Sequence, residues 1–199
     1  MGEVQIAGYH TCSRDNGMTY IESSAPFHSN PNRKQWLTNG YYFWTDSDHF
    51  AHKWGEASYK GHYAIVKCLI VMDKGLLLDL VGNVEDRLYF EKLKEKFEAY
   101  LAKPEVQRSL DPKFRGKPPT VSGTIAFWRK QRGKLANNGI FPTFPYVAIK
   151  AQEPPRNSDM RFVEDRREVL LGLTRQQFCL FKEGYEYIKS KELVYPVCA

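Results

Sequence analysis

Short runs rich in Val, Ile, Tyr and Phe recur along the chain, each bounded by Gly, Asp, Asn or Pro. They predict strands at 4–11, 40–44, 62–72, 76–80, 145–151, 175–182 and 185–188. Helical spacing is rarer. Asp46-Ser47-Asp48 opens a short helix with Phe50, Ala51 and Trp54 on one side. The clearest helix is predicted from Val84 to about Lys103. Asn83 serves as its N-cap, Glu85 and Asp86 complement its dipole, and Pro104 stops it. Phe90, Leu93, Phe97, Tyr100 and Leu101 recur along it as an apolar stripe that reads as packing. A third helix is expected over 125–135, ended by Asn137-Asn138-Gly139.

Strands and helices are segregated rather than strictly alternating, which predicts an α+β fold over a doubly wound one. Pro118-Pro119 and Pro154-Pro155 mark loops, and no repeat interrupts the pattern. At 199 residues the expectation is one domain, 1–199, with a helical, basic insertion at about 83–144 between sheet strands.

Composition adds little except through charge. Hydrophobic content of 42% and aromatic content of 14% fit a folded globular chain. The start lacks the charged and apolar regions of a secretory signal, and the apolar runs are too short to span a bilayer, so a cytoplasmic protein with no membrane partner is expected. Cys12, Cys68, Cys179 and Cys198 form no C-x-x-C pair, which favours reduced thiols. The net charge of +6 is uneven. Between Pro112 and Gln152 there is no acid, while eight basic residues stand there, among them Arg129, Lys130, Arg132 and Lys134. With Phe127 and Trp128 beside it, that basic stretch suits a nucleic acid as well as an acidic protein face or solvent.

Several chemistries lack their motifs. Neither G-x-G-x-x-G nor a P-loop is present, nor G-x-S-x-G, nor H-E-x-x-H. His49 and His52 share a helix face but have no supporting ligand at metal spacing, so no metal is expected. Cys12 lies two positions from His10 on one strand face, a spacing that chance also produces.

Two segments stand out. Tyr9-His10-Thr11-Cys12-Ser13 ends the first strand, and Trp36-Leu37-Thr38-Asn39-Gly40-Tyr41-Tyr42-Phe43 enters the second, with a polar loop between. A histidine at a strand end can bond a ribose hydroxyl, and a tyrosine ring can face a cationic pyridinium, a contact of about 1–2 kcal/mol when desolvated.

This pair of segments, followed by an Ala-bearing helix, resembles ADP-ribosyltransferases of the diphtheria-toxin and poly(ADP-ribose) polymerase kind, and more narrowly their bacterial toxin and phage-defence members. The resemblance covers roughly residues 8–56, with a weaker match near the C-terminus. It implies a split antiparallel sheet carrying a His, Tyr and Glu triad, with NAD as substrate and no metal. By it, His10 binds the nicotinamide ribose, Thr11 offers backbone to the carboxamide, Tyr42 stacks on the ring and Arg14 meets the phosphates. The third strand falls at 174–181, where Gln177 stands in place of the expected Glu.

That replacement matters because nicotinamide loss builds an oxocarbenium-like centre, which a carboxylate stabilises. One opposing charge at about 4 Å is worth roughly 4 kcal/mol at an effective dielectric near 20, about a thousandfold in rate. Glu164, Asp165, Glu168 and Glu183 are the carboxylates nearby in sequence; an anion on the acceptor is another source, and a slow or inactive binder is the third case. The function implied is a mono-ADP-ribosyltransferase acting on nucleic acid, RNA above DNA, or on protein, as a toxin with an antitoxin partner. The alternatives are an inactive nucleic-acid-binding module using the basic 112–152 region, and an RNA 2′-phosphotransferase, whose arginines and histidines have no counterparts here.

Overall fold

A computed structural model describes residues 2–30, 35–135, 144–153, 160–161, 169–170 and 173–196, without the side chains of 133–135, 160–161 and 169–170. Its strands are β1 Glu3–Ser13, β2 Tyr41–Thr45, β3 Tyr63–Asp73, β4 Leu77–Asp79, β5 Ala148–Glu153, β6 Met160–Arg161, β7 Val169–Leu170, β8 Arg175–Leu180 and β9 Ile188–Tyr195. The α-helices are α1 Met18–Ser24, α2 His49–Tyr59, α3 Val84–Leu101, α4 Pro104–Ser109 and α5 Val121–Leu135. Seven strands form one sheet in the order β4-β5-β8-β2-β1-β3-β9, and β6 pairs with β7 separately. Only β4 and β5 run parallel within the larger sheet. The fold is therefore α+β with a mostly antiparallel sheet.

Alternation along the strands gives the sheet two buried faces. On one, Cys12, Phe43, Val66, Cys68, Phe178 and Leu180 pack beneath α1, whose Ile21 is fully buried. The opposite face has two covers. Over its β1–β3 end lies α2, which buries Ala51 against Trp44, Tyr63 and Ile65. Over its β5–β8 end lie α3 and α5, whose Leu93, Ile125 and Trp128 pack on Ile149, Cys179 and Phe181. Trp128 also donates from Nε1 to the carbonyl of Leu93 at 3.0 Å, tying the two helices together.

The helix starting at Val84 forms as its sequence indicates: the Asn83 side chain accepts from the amide of Glu85 at 3.0 Å. Pro104 has a double role, ending α3 and opening α4 at its first turn, where a missing N–H is harmless. α1 and α4 are short, with one buried residue and none, so apolar spacing gave no sign of them. The α3–α5 segment lies in sequence between β4 and β5. Asn137-Asn138-Gly139 and Pro154-Pro155 lie outside the described residues.

One strand needs correction. The segment 185–188 is not a strand up to Ile188; a 3-10 turn, Lys182–Tyr187, follows β8 there. The close approach of Gly184 explains it. A Cβ at that position would stand 2.7 Å from Leu180 Cδ1 and 3.2 Å from the Val147 carbonyl, so the chain must wrap tightly around the end of β8. The true edge strand, β9, begins at Ile188.

Candidate active site

β1 pairs with β3 along its whole length, from Glu3↔Asp73 to Ser13↔Tyr63. Its ladder with β2 is much shorter. Only Gly8↔Thr45 and Tyr9↔Trp44 are in register, after which the two strands part. A cleft of about 490 Å³ opens at that split, within the usual range for a small-ligand site.

His10 is the first residue past the split. Its Nδ1 lies 2.9 Å from the carbonyl of Tyr42, and its Nε2 lies 3.1 Å from the amide of Phe27. An amide can only donate, so Nε2 accepts and the proton sits on Nδ1. Burial pulls the imidazole down to about 4, partly offset by the bond to Tyr42. His10 is thus a neutral strut between the diverging strands, set edge-on to Phe27 and Phe43. Any other donor that bonds His10 Nε2 takes the place of the Phe27 amide.

Tyr42 projects from the opposite face. Its hydroxyl donates to the carbonyl of Thr38 at 2.7 Å and accepts from the amide of Leu37 at 3.1 Å. Thr38 has φ of 72°, unfavourable for a β-branched residue, and these two bonds hold the turn in place. Burial, first of all, pushes the phenol far above its usual range, so it stays neutral and leaves its ring for contact.

Gln177 pairs across the ladder with Trp44 and shares the face of Tyr42. Trp36 Nε1 donates to its Oε1 at 2.5 Å. An indole N–H can only donate, so Oε1 accepts and the donors of the Gln177 amide nitrogen take no part in this bond. His10, Tyr42 and Gln177 all line the one cleft.

No family model, curated protein or solved structure matches the chain.

Thr11 lines the cleft as well, with its hydroxyl donating to the carbonyl of Ala51 on α2 at 3.1 Å. Arg14 does not; Ser13 and Asn16 stand there instead. Cys12 lines the wall, but burial raises its thiol to about 11, which makes a thiolate scarce at neutral pH. The thiols of Cys68 and Cys179 are pushed up to about 12 by burial. His52 bonds the Tyr63 hydroxyl at 2.8 Å, and no group of three metal-ligating side chains occurs among the described residues. Among the described residues, no helix is long and apolar enough to cross a membrane.

The basic residues of α5 have separate surroundings. Arg129 lies 4.0 Å over the Phe181 ring and donates to Glu183 at 2.9 Å, while Arg132 lies 3.7 Å from the same carboxylate. Glu183 therefore serves that clamp and is not a wall of the cleft. Lys130 is exposed, and the Lys134 side chain lies outside the described residues, as do Glu164, Asp165 and Glu168.

Of the cleft residues that sequence reasoning gave no role, three shape its chemistry. Trp36 holds Gln177, and Trp54 on α2 is 45% exposed with its ring 6.2 Å from that of Trp44. The third is Glu153 at the end of β5, the one acid among the described cleft residues, which include no Lys or Arg. Trp36 carried a signal as the first residue of the quoted segment, and Trp54 as an aromatic on the helix that follows it. Glu153 carried none, because its place follows only from the pairing of β5 with β8.

Proposed function

We propose that this chain is an NAD-dependent mono-ADP-ribosyltransferase of the His-Tyr type that releases nicotinamide and moves ADP-ribose to a macromolecule. The observation that carries the reading is the convergence of His10, Tyr42 and Gln177 on one cleft at a split between β1 and β2. An aromatic-walled cleft with no lysine or arginine among its described walls suits a cationic pyridinium ring. The ring lies against Tyr42, and the amide nitrogen of Gln177 donates to a ribose hydroxyl. Neutral His10 keeps the strands apart and shapes the pocket rather than moving protons at neutral pH. Nicotinamide leaves as a neutral base, which removes the positive charge from the ring and favours its release from the tyrosine face.

Incubation of the chain with NAD labelled in the ADP-ribose moiety, together with total RNA or protein extract, tests this. The expected result is free nicotinamide together with label on polymer. If folded protein produces neither, the reading is wrong. An RNA complex that forms without NAD turnover and weakens steeply with salt would support the non-catalytic alternative.

A further inference from the structure

Tyr42, Gln177 and Glu153 form a line along one face of the sheet. Tyr42 is opposite Cys179 on β8, and Gln177 lies two positions from Cys179 on that strand. Gln177 in turn is opposite Ala151 on β5, and Glu153 lies two positions beyond Ala151. Two-residue steps preserve the face, as the packing of Ile149, Ala151, Cys179 and Tyr42 in one cluster demonstrates. Each diagonal neighbour on adjacent strands is about 7–8 Å away. Gln177 therefore stands between Tyr42 and Glu153.

That order matches what a displacement at a sugar carbon requires. A nucleophile that enters opposite the leaving group needs the leaving base, the ribose and the acceptor in a row. With the pyridinium on Tyr42 and the ribose at Gln177, the acceptor stands at Glu153. We infer that Glu153 is the general base of this site, receiving the proton of the incoming O–H or N–H acceptor; the inference rests on the activity proposed above.

The step balances without a redox partner. The bond between C1′ and the pyridinium nitrogen breaks, and its electron pair neutralises the ring. A lone pair of the acceptor forms the new bond to C1′, and the acceptor proton passes to the Glu153 carboxylate and then to solvent.

Local structure holds Glu153 ready for this. Arg175, its cross-strand partner, forms an ion pair with Glu153 Oε2. That pair fixes the orientation of the carboxylate at the end of β5. Trp54, exposed on α2, lines the same cleft and offers flat apolar surface to an acceptor. Gln177, being uncharged, cannot take the proton, so the division of labour between the two residues follows from their chemistry.

The test uses the full chain, NAD, and water as the acceptor, read as nicotinamide release, with NAD affinity and melting temperature measured alongside. Glu153→Gln and Glu153→Ala should each slow release by about a hundredfold or more. Affinity for NAD should stay within about threefold, because the base acts on the acceptor. Azide needs no deprotonation. It should therefore raise the rate of Glu153→Ala by about tenfold or more and leave the intact chain unchanged. Variants that keep release within about threefold of the intact chain would overturn the assignment, as would a folded Glu153→Ala that azide fails to rescue. Silence of the intact chain itself overturns the underlying activity and the base with it, an outcome distinct from silence of the variants alone.

Discussion

The His10 imidazole donates to the carbonyl of Tyr42 across 2.9 Å, at the point where the β1–β2 ladder has ended. A side chain there replaces a backbone bond, so the strands separate without leaving the Tyr42 carbonyl unpaired in a buried place. The same contact ties the wall of the cleft to the residue that presents the ring surface.

That strut makes stability depend on pH. The buried imidazole titrates at about 4, against 6.5 for the free group. Unfolding frees it to take up a proton, so its contribution is complete above pH 6.5 and is lost as pH falls towards 4. Between pH 7 and pH 5 the chain should lose about 2 kcal/mol that a His10→Gln variant does not lose. Denaturant titrations at the two pH values measure this, and parallel losses in both proteins would contradict a neutral, buried His10.

Tyr42 has two separable roles. Tyr42→Phe keeps the ring but loses both bonds to the Leu37–Thr38 turn, and should cost about 1–3 kcal/mol of stability. Tyr42→Ala also removes the ring, and should weaken NAD binding by roughly 5- to 30-fold beyond the effect of Tyr42→Phe. Calorimetric titration with NAD separates the two, and equal affinities for the Phe and Ala variants would remove the ring from the site.

Gly40 sets how closely the turn approaches β8. A Cβ there would stand 2.5 Å from the Leu180 carbonyl and 2.6 Å from Cys179 Sγ. Gly40→Ala should therefore destabilise the chain by about 1–3 kcal/mol, because the Leu180 backbone cannot yield cheaply. A melting temperature equal to that of the parent would show that the turn has room.

The main sheet strands and the helices α2, α3 and α5 were readable from the spacing of apolar residues, and so were His10 and Tyr42 as residues that line the cleft. His10 and Tyr42 sit in strands whose patterns are regular because both sheet faces are buried there. β9 escaped because an edge strand is solvated: Ile188-Lys189-Ser190-Lys191-Glu192 buries little and alternates poorly. Glu153 was invisible for a different reason. Nothing near it in sequence distinguishes it from any surface acid, and only the ladder between β5 and β8 carries it to the cleft. By its sequence the acid-free basic stretch suits a nucleic acid, an acidic protein face or solvent, whereas Arg129 and Arg132 find their carboxylate on Glu183, beyond the stretch itself.

The arginine clamp has its own consequence. Arg129→Ala removes the stack on Phe181 and the bond to Glu183, and should destabilise by about 1–3 kcal/mol. Lys130→Ala, one residue on and exposed, should change stability by about 0.5 kcal/mol or less. Chemical denaturation of both compares them directly, and an equally small effect of each would mean that the clamp contributes nothing.

The central claim is that the cleft between β1 and β2 receives a positively charged ring against Tyr42. Affinity for NAD compared with NADH reads this most directly, since the two differ chiefly in the charge of that ring. The oxidised form should bind about tenfold more tightly to the intact chain, and the preference should disappear in Tyr42→Ala. Equal binding of the two forms by the intact chain, or a preference that survives in Tyr42→Ala, would contradict the account.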